Sequence, residues 1–148
     1  MDFKEEDFGW RLTFDEGRIE RIQIDFRLGL AITDKISTTT ITIASLCYLK
    51  GAGTDVPLGP ENTPSLSPIL PLFNVRVKDG FIQKTGRLAL NFEDGRFLDV
   101  QPDDAYESWE VNNPSMKLRL ICMPGGKVAG ISGWANVPGY PNAITPSQ

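Results

Sequence analysis

The feature that most constrains this chain is the alternation of apolar and polar residues within the stretch 86–110. Leu88, Leu90 and Phe92 share one parity, and polar or small residues occupy the positions between them. This period of two predicts a strand with one buried face. Asp94-Gly95 then predicts a tight turn, because glycine adopts positive φ without steric cost and aspartate tolerates it. A second apolar run follows, so the stretch predicts a β-hairpin.

Similar alternating runs, separated by turn residues, recur along most of the chain. The large apolar residues of 22–32 all fall on even positions, which fits either one long strand or two strands joined by a turn near 25–27. Usual strand lengths favour the second interpretation. A short internal repeat begins at Ile22-Gln23 and again at Ile82-Gln83. It indicates either that the chain has two related halves or only that hairpins of similar composition have similar sequences. We therefore predict a mainly β fold, in which two antiparallel β-meanders form a sandwich or a half-open barrel.

Two segments interrupt the strand pattern and predict short helices, so the full prediction is a β-rich α+β fold. Residues 65–70 would begin at Ser65 as the N-cap, and residues 103–109 at an aspartate. The surrounding segment 51–71 is rich in glycine and proline, which predicts a long connection. Long connections inside small domains are often functional, so this one is a candidate binding loop.

A chain of 148 residues suits one domain. We expect a single β-rich domain over residues 1–135, with a frayed end at 1–7 and a disordered tail at 136–148. The acidic N-terminus lacks the apolar run of a secretory signal, and no apolar segment is long enough to span a bilayer. These observations predict a cytoplasmic protein that does not bind membranes. As to assembly, we expect a monomer or a homodimer.

The composition excludes several classes of chemistry. The chain has no histidine, which removes Ser-His and Cys-His nucleophiles and histidine-containing zinc sites. A net charge of −4 without a basic cluster argues against nucleic acid. The charge fits either ordinary solubility or a basic partner. Cys47 and Cys122 lie in apolar runs and predict buried reduced thiols, with a single disulfide as the alternative. We predict no catalytic residue, no metal and no cofactor.

Acidic and aromatic side chains are concentrated directly after the central hairpin. On a helix, Asp103 and Glu107 would stack, and Tyr106 and Trp109 would share one side. The aromatic pair either closes the end of a sheet or anchors a partner. The carboxylates either cap the helix and form its solvated face, or they form an acid–base pair for catalysis. An acid–base pair would require burial, which raises the pKa of one carboxyl. We predict a partner-binding segment made of Asp103, Asp104, Tyr106, Glu107, Trp109 and Glu110.

The order of these motifs resembles a family of small bacterial domains of unknown function that is similar to immunity-type proteins, which neutralise toxins exchanged between bacteria. The motifs are G-x-L-x-L-x-F-x-D-G-x-x-L-x-V from Gly86, Y-E-x-W-x-V from Tyr106, and P-G-G from Pro124. The resemblance implies a non-catalytic inhibitor of a basic toxin domain, and it implies no catalytic residues. The tail after Gly130 and the proline-rich segment depart from the family pattern.

Two other functions compete with an inhibitor. The first is a domain that binds a small ligand or carbohydrate through Trp10, Trp109 or Trp134, since indole rings stack on such ligands. The second is an enzyme that uses paired carboxylates. We expect a non-catalytic protein-binding function in preference to both.

Overall fold

The computed structural model describes residues 1–131, 140, 141, 143 and 144, and it shows two seven-stranded sheets packed face to face. The prediction of a mainly β fold with two antiparallel sheets is confirmed, and the arrangement is a sandwich. The first sheet, sheet A, is antiparallel throughout. Its strands, in spatial order, are β1 (Asp2–Glu6), β2 (Gly9–Thr13), β8 (Val77–Gln83), β9 (Leu88–Phe92), β10 (Phe97–Val100), β6 (Cys47–Gly51) and β7 (Thr54–Leu58).

The second sheet, sheet B, is antiparallel except for one short parallel pair at its edge. Its hairpin at 25–27 confirms the interpretation of 22–32 as two strands. Its strands, in spatial order, are β14 (Ala143–Ile144), β13 (Val128–Ile131), β12 (Leu118–Cys122), β11 (Trp109–Asn113), β5 (Thr38–Ile43), β4 (Leu28–Thr33) and β3 (Arg18–Ile24).

The core lies between the inner faces of the two sheets, where the alternating apolar residues meet. Leu30, Ile41 and Val111 are aligned across sheet B, and all three are fully buried. Gly80 lies opposite Leu12 in the middle of β8, where an added Cβ would come within 3.3 Å of the leucine side chain. Lys78-Asp79-Gly80 has the composition of a turn, but it lies inside β8, where this glycine makes room for a neighbouring leucine and does not reverse the chain.

The predicted helix at 65–70 is present as the 3₁₀ helix Thr63–Leu72. Its buried residues are Leu66, Ile69 and Leu72, a spacing that suits three residues per turn. The helix contacts β7 and β3, so it closes one open side of the sandwich. Ser65 is not its cap; the hydroxyl bonds the backbone of Gly59 instead. The long loop expected at 51–71 is wrong, since that segment contains both β7 and most of this helix.

The second predicted helix, at 103–109, is wrong. Residues 104–106 form a bend, and β11 begins at Trp109. The side chain of Asp103 accepts hydrogen bonds from the backbone amides of Ala105 and Tyr106. A helix N-cap would make the same bonds. The helix does not continue because Ser108 donates to the carbonyl of Cys122 at 3.2 Å and Trp109 pairs with Ile43 in sheet B. A short 3₁₀ turn occurs instead at Pro114–Met116.

The expectation of a frayed N-terminus is also wrong, because β1 pairs with β2 along its whole length and Phe3 is buried. The ring of Phe3 packs edge-on against Tyr140, with 6.3 Å between ring centroids. The predicted disordered tail at 136–148 lies largely outside the described residues. Of its described part, Tyr140 donates its hydroxyl to the carbonyl oxygen of Arg119, and β14 pairs with β13.

Candidate protein-binding site at the loop end of the sandwich

Three connections come together at one end of the sandwich, and we call residues 44–46, 59–61 and 103–107 the loop end. Cys47 pairs with Val100 on one side and with Leu58 on the other, so the segments flanking these residues emerge together. The amide of Ala44 donates to the carbonyl of Ser108 at 2.9 Å, which brings the last of the connections alongside. Residues far apart in sequence therefore form one surface.

Asp103 holds the bend at the centre of the loop end. One of its carboxylate oxygens accepts from the amides of Ala105 at 2.7 Å and Tyr106 at 3.1 Å. Its backbone carbonyl accepts from the amide of Gly125 at 2.9 Å, which ties the bend to the β12–β13 turn. The bend is thus attached to the sandwich by bonds on both sides of Asp103, and it presents Tyr106 with 72% of its surface exposed.

A depression of about 240 Å³ lies beside Tyr106. Leu46, which is 52% exposed, stands at its edge. The hydroxyl oxygen of Ser45 is buried there without a hydrogen-bond partner in the described part of the chain. Exposed large apolar residues beside a depression are typical of a binding surface. The described residues that line it are Ala44, Ser45, Leu46, Gly59, Pro60, Glu61, Asp103 and Tyr106.

The charge of the loop end is negative and is not neutralised locally. Among the described residues, no ion pair includes Glu61, Asp103, Asp104 or Glu107. Carboxylates elsewhere in the fold do have cationic partners, as Asp99 has in Arg87. Unpaired charges of one sign create a field that favours a partner of the opposite sign.

The structure separates the six predicted partner-binding residues into three places. Asp103, Asp104, Tyr106 and Glu107 lie together on the bend. Trp109 is 2% exposed and belongs to the core, which is the alternative that the sequence left open. Glu110 lies on the outer face of sheet B, where it pairs with Arg119. The last two residues therefore take no part in the loop end.

Sequence reasoning missed three residues of this region. Leu46 and Glu61 join the bend only through the pairing of distant strands, and no local pattern indicated them. Phe26 lies at the tip of the β3–β4 hairpin at the same end of the sandwich, because Leu28 pairs with Ile43. Phe26 is 82% exposed and has a φ of 64°, which is unusual for a bulky residue. The sequence signal for this strained and exposed phenylalanine was that the turn at 25–27 contains neither glycine nor asparagine.

The other predicted chemistries find little support in this geometry. Trp10 is 7% exposed, so neither it nor Trp109 offers an indole face to a ligand, and Trp134 lies outside the described residues. Asp103 and Glu107 are not on a helix, so their spacing does not stack them. In the described ranges, no group of three or more potential ligands could hold a metal ion, and no helix is long and apolar enough to cross a membrane.

Both thiols are buried and free. Burial, with a smaller contribution from the charge of Asp99, raises the pKa of the Cys47 thiol to about 12. Burial also raises the pKa of the Cys122 thiol. Since the thiolate is the reactive species, neither cysteine is set up as a nucleophile. The prediction of buried reduced thiols agrees with these positions.

A comparison with protein families places this sequence in a family. The family of unknown function DUF6188 matches residues 10–132, a range that contains the central hairpin and the whole bend. No curated protein and no solved structure matches the chain. Because the family match covers most of the sequence, the chain belongs to the family of unknown function DUF6188.

Proposed function

We propose that this protein is a non-catalytic binding domain whose loop end docks onto a basic surface of another protein. The observation that carries the proposal is Tyr106, an aromatic residue that is 72% exposed on a hydrogen-bonded bend. Aromatic residues supply much of the energy of protein interfaces when they enter a partner's pocket. Leu46 lines the same depression as Tyr106 and adds exposed apolar area.

The unpaired carboxylates around Tyr106 define the charge of the partner. Glu61, Asp104 and Glu107 are exposed and would face the rim of an interface. Charges at a rim mainly raise the association rate and exclude partners of like charge. A basic protein surface therefore fits this end, and binding should weaken as salt is added.

An immunity-type inhibitor of a toxin is the finer form of this proposal. Its support is the resemblance of the motifs around Gly86, Tyr106 and Pro124 to that class. An inhibitor of this kind needs an anchor and a complementary field but no catalytic group. The loop end meets both requirements, and a basic toxin domain is the partner that it would suit.

The test is to co-express this chain with each reading frame next to its gene and to measure binding of any product that co-purifies. Tyr106→Ala should weaken a specific complex by about 30-fold or more, the loss expected of an interface anchor. The double variant Asp104→Lys, Glu107→Lys should slow association, most strongly at low salt.

Matched controls come from the opposite end of the sandwich. Phe73→Ala removes another exposed aromatic residue, 58% exposed, and Glu93→Lys reverses another exposed charge. Both should leave binding unchanged. The proposal is wrong if no neighbouring product binds, or if Tyr106→Ala binds as tightly as the unaltered protein while folding normally.

A further inference from the structure

The outer face of sheet A carries a second feature, which shares no described lining residue with the depression at the loop end and is independent of the proposed function. Strand pairing aligns Arg11, Phe81, Ala89, Asp99 and Tyr48 in one row across the middle of the sheet. Ala89 is at the centre of this row and has its smallest side chain. The surface is therefore lower at Ala89 than at the larger residues on either side.

This dip is the floor of an open depression of about 390 Å³. Its walls are largely aromatic, and the rings of Phe8 and Phe81 lie 5.3 Å apart. The guanidinium of Arg11 lies over Phe81 at 4.2 Å from the ring centroid, which holds that wall in position. The described residues that line the depression are Phe8, Phe81, Gln83, Arg87, Ala89, Asn91 and Phe97, of which one is charged.

The charged residue, Arg87, is positioned by a buried carboxylate. Its Nε donates to Asp99 at 2.8 Å, and Lys50 reaches the other oxygen of the same carboxylate at 3.2 Å. Asp99 is only 5% exposed although it faces outward. Among the described residues, the terminal nitrogens of Arg87 make no hydrogen bond, so a planar pair of donors remains available at the rim of the depression.

Gln83 supplies a further donor next to Arg87. The two residues face each other across the β8–β9 hairpin, where the amide of Gln83 donates to the carbonyl of Arg87 at 2.8 Å. The side-chain oxygen of Gln83 accepts from Thr85, and its amide nitrogen has no acceptor in the described part of the chain. Arg87 precedes β9, and its guanidinium reaches Asp99, which is the strand partner of Ala89, so the donors lie beside the floor.

We propose that this depression is a binding site for a small aromatic carboxylic acid. The ring would lie over Ala89 between Phe81 and Phe97, and the carboxylate would accept from Arg87 and Gln83. Apolar walls with a few convergent polar groups are the usual composition of ligand sites. Arg87, the one charged residue among the described residues of the lining, is a cation, so the depression favours an anionic ligand.

The test is a titration of the ¹⁵N-labelled protein with phenylacetate, followed by amide chemical shifts. Acetate lacks the ring and benzyl alcohol lacks the charge, so they are the matched probes. Phenylacetate should shift the resonances of Gln83, Arg87 and Ala89 in a saturable way, with a dissociation constant of about 1 to 10 mM, as befits an open site. Benzyl alcohol should bind more weakly, and acetate should not saturate.

The variant Gln83→Glu places a negative charge beside Arg87 without removing a structural contact of the core. It should weaken phenylacetate binding by about fivefold or more through repulsion of like charges. Gln23→Glu makes the same change on the outer face of sheet B and should bind as the unaltered protein does. Equal shifts with acetate and phenylacetate, absence of saturation, or normal binding by Gln83→Glu would each overturn the proposal.

Discussion

The indole nitrogen of Trp109 donates a hydrogen bond of 2.8 Å to the carbonyl oxygen of Gly86. Gly86 lies in the β8–β9 turn of sheet A, and Trp109 begins β11 of sheet B, so this bond joins the two sheets. The thiol of Cys122 reaches the same oxygen at 3.5 Å, and Gly126 packs directly against Gly86. The Gly86, Trp109 and P-G-G motifs of the sequence thus meet in one structural contact.

Trp109→Phe should destabilise the fold while keeping most of the apolar volume. We expect a loss of about 1 to 3 kcal/mol in the free energy of unfolding, because the Gly86 carbonyl would keep only a weak thiol donor in a buried place. Urea denaturation measures the loss. Tyr106→Phe, which changes an exposed ring, should stay within about 0.5 kcal/mol. Equal stability of the two variants would contradict the role of the Trp109 bond.

Gly125 and Gly126 offer a matched pair in the β12–β13 turn. Both have positive φ, 86° and 99°, but an added Cβ meets nothing within 4 Å at Gly125 and lies 2.3 Å from the Thr85 carbonyl oxygen at Gly126. Gly125→Ala should cost about 1 kcal/mol from backbone strain alone. Gly126→Ala should cost about 3 kcal/mol or more, because the sheets must separate locally. Thermal or urea unfolding of both variants measures the difference, which should vanish if the turns do not pack as described.

Phe26→Gly should raise stability, although it removes a large apolar residue. Phe26 is 82% exposed with a φ of 64°, so it gains little from burial and carries the strain of the left-handed conformation. Relief of about 1 to 2 kcal/mol of strain exceeds the entropic cost of glycine, about 0.5 to 1 kcal/mol. The midpoint of urea unfolding should therefore rise. Phe73→Gly, at a φ of −56°, is the control and should lower it.

The cysteines should react with Ellman's reagent only when the protein unfolds. With a pKa of about 12, about one Cys47 thiol in ten thousand is ionised at pH 8, and burial shields it further. Because burial raises the pKa in the folded state, native reactivity should stay low until strongly alkaline pH. In urea without reductant, both Cys47 and Cys122 should react. Failure of either thiol to react in urea would indicate a disulfide.

The hairpins were predictable because each is local. Leu88, Leu90 and Phe92 alternate along one strand, and Asp94-Gly95 reverses the chain within a few residues, so neighbouring positions contain all the information. The same local reasoning misread two segments. Gly80 looks like a turn residue but lies inside a strand beneath Leu12, and Asp103 looks like a helix cap but closes a bend.

The candidate site was predictable only in part, for a related reason. The acidic residues from Asp103 to Glu107 are close together in the sequence, so the cluster could be predicted directly. Their polarity also predicted that they would be exposed to solvent. The burial of Trp109 could not be read, since it depends on a carbonyl more than twenty residues away in the other sheet. Leu46 and Glu61 reach the same surface through β6 and β7, whose pairing partners lie far along the chain.

Sequence by itself determined the strand periodicity, the turn chemistry and the absence of histidine, because these depend on residue identity and local spacing. The tertiary structure alone decided which aromatic residue is exposed, which carboxylates lack a cation, and that Arg87, Gln83 and Ala89 share one outer face. The reason is physical: burial and charge pairing are properties of neighbours in space, and in a sandwich those neighbours come from distant strands.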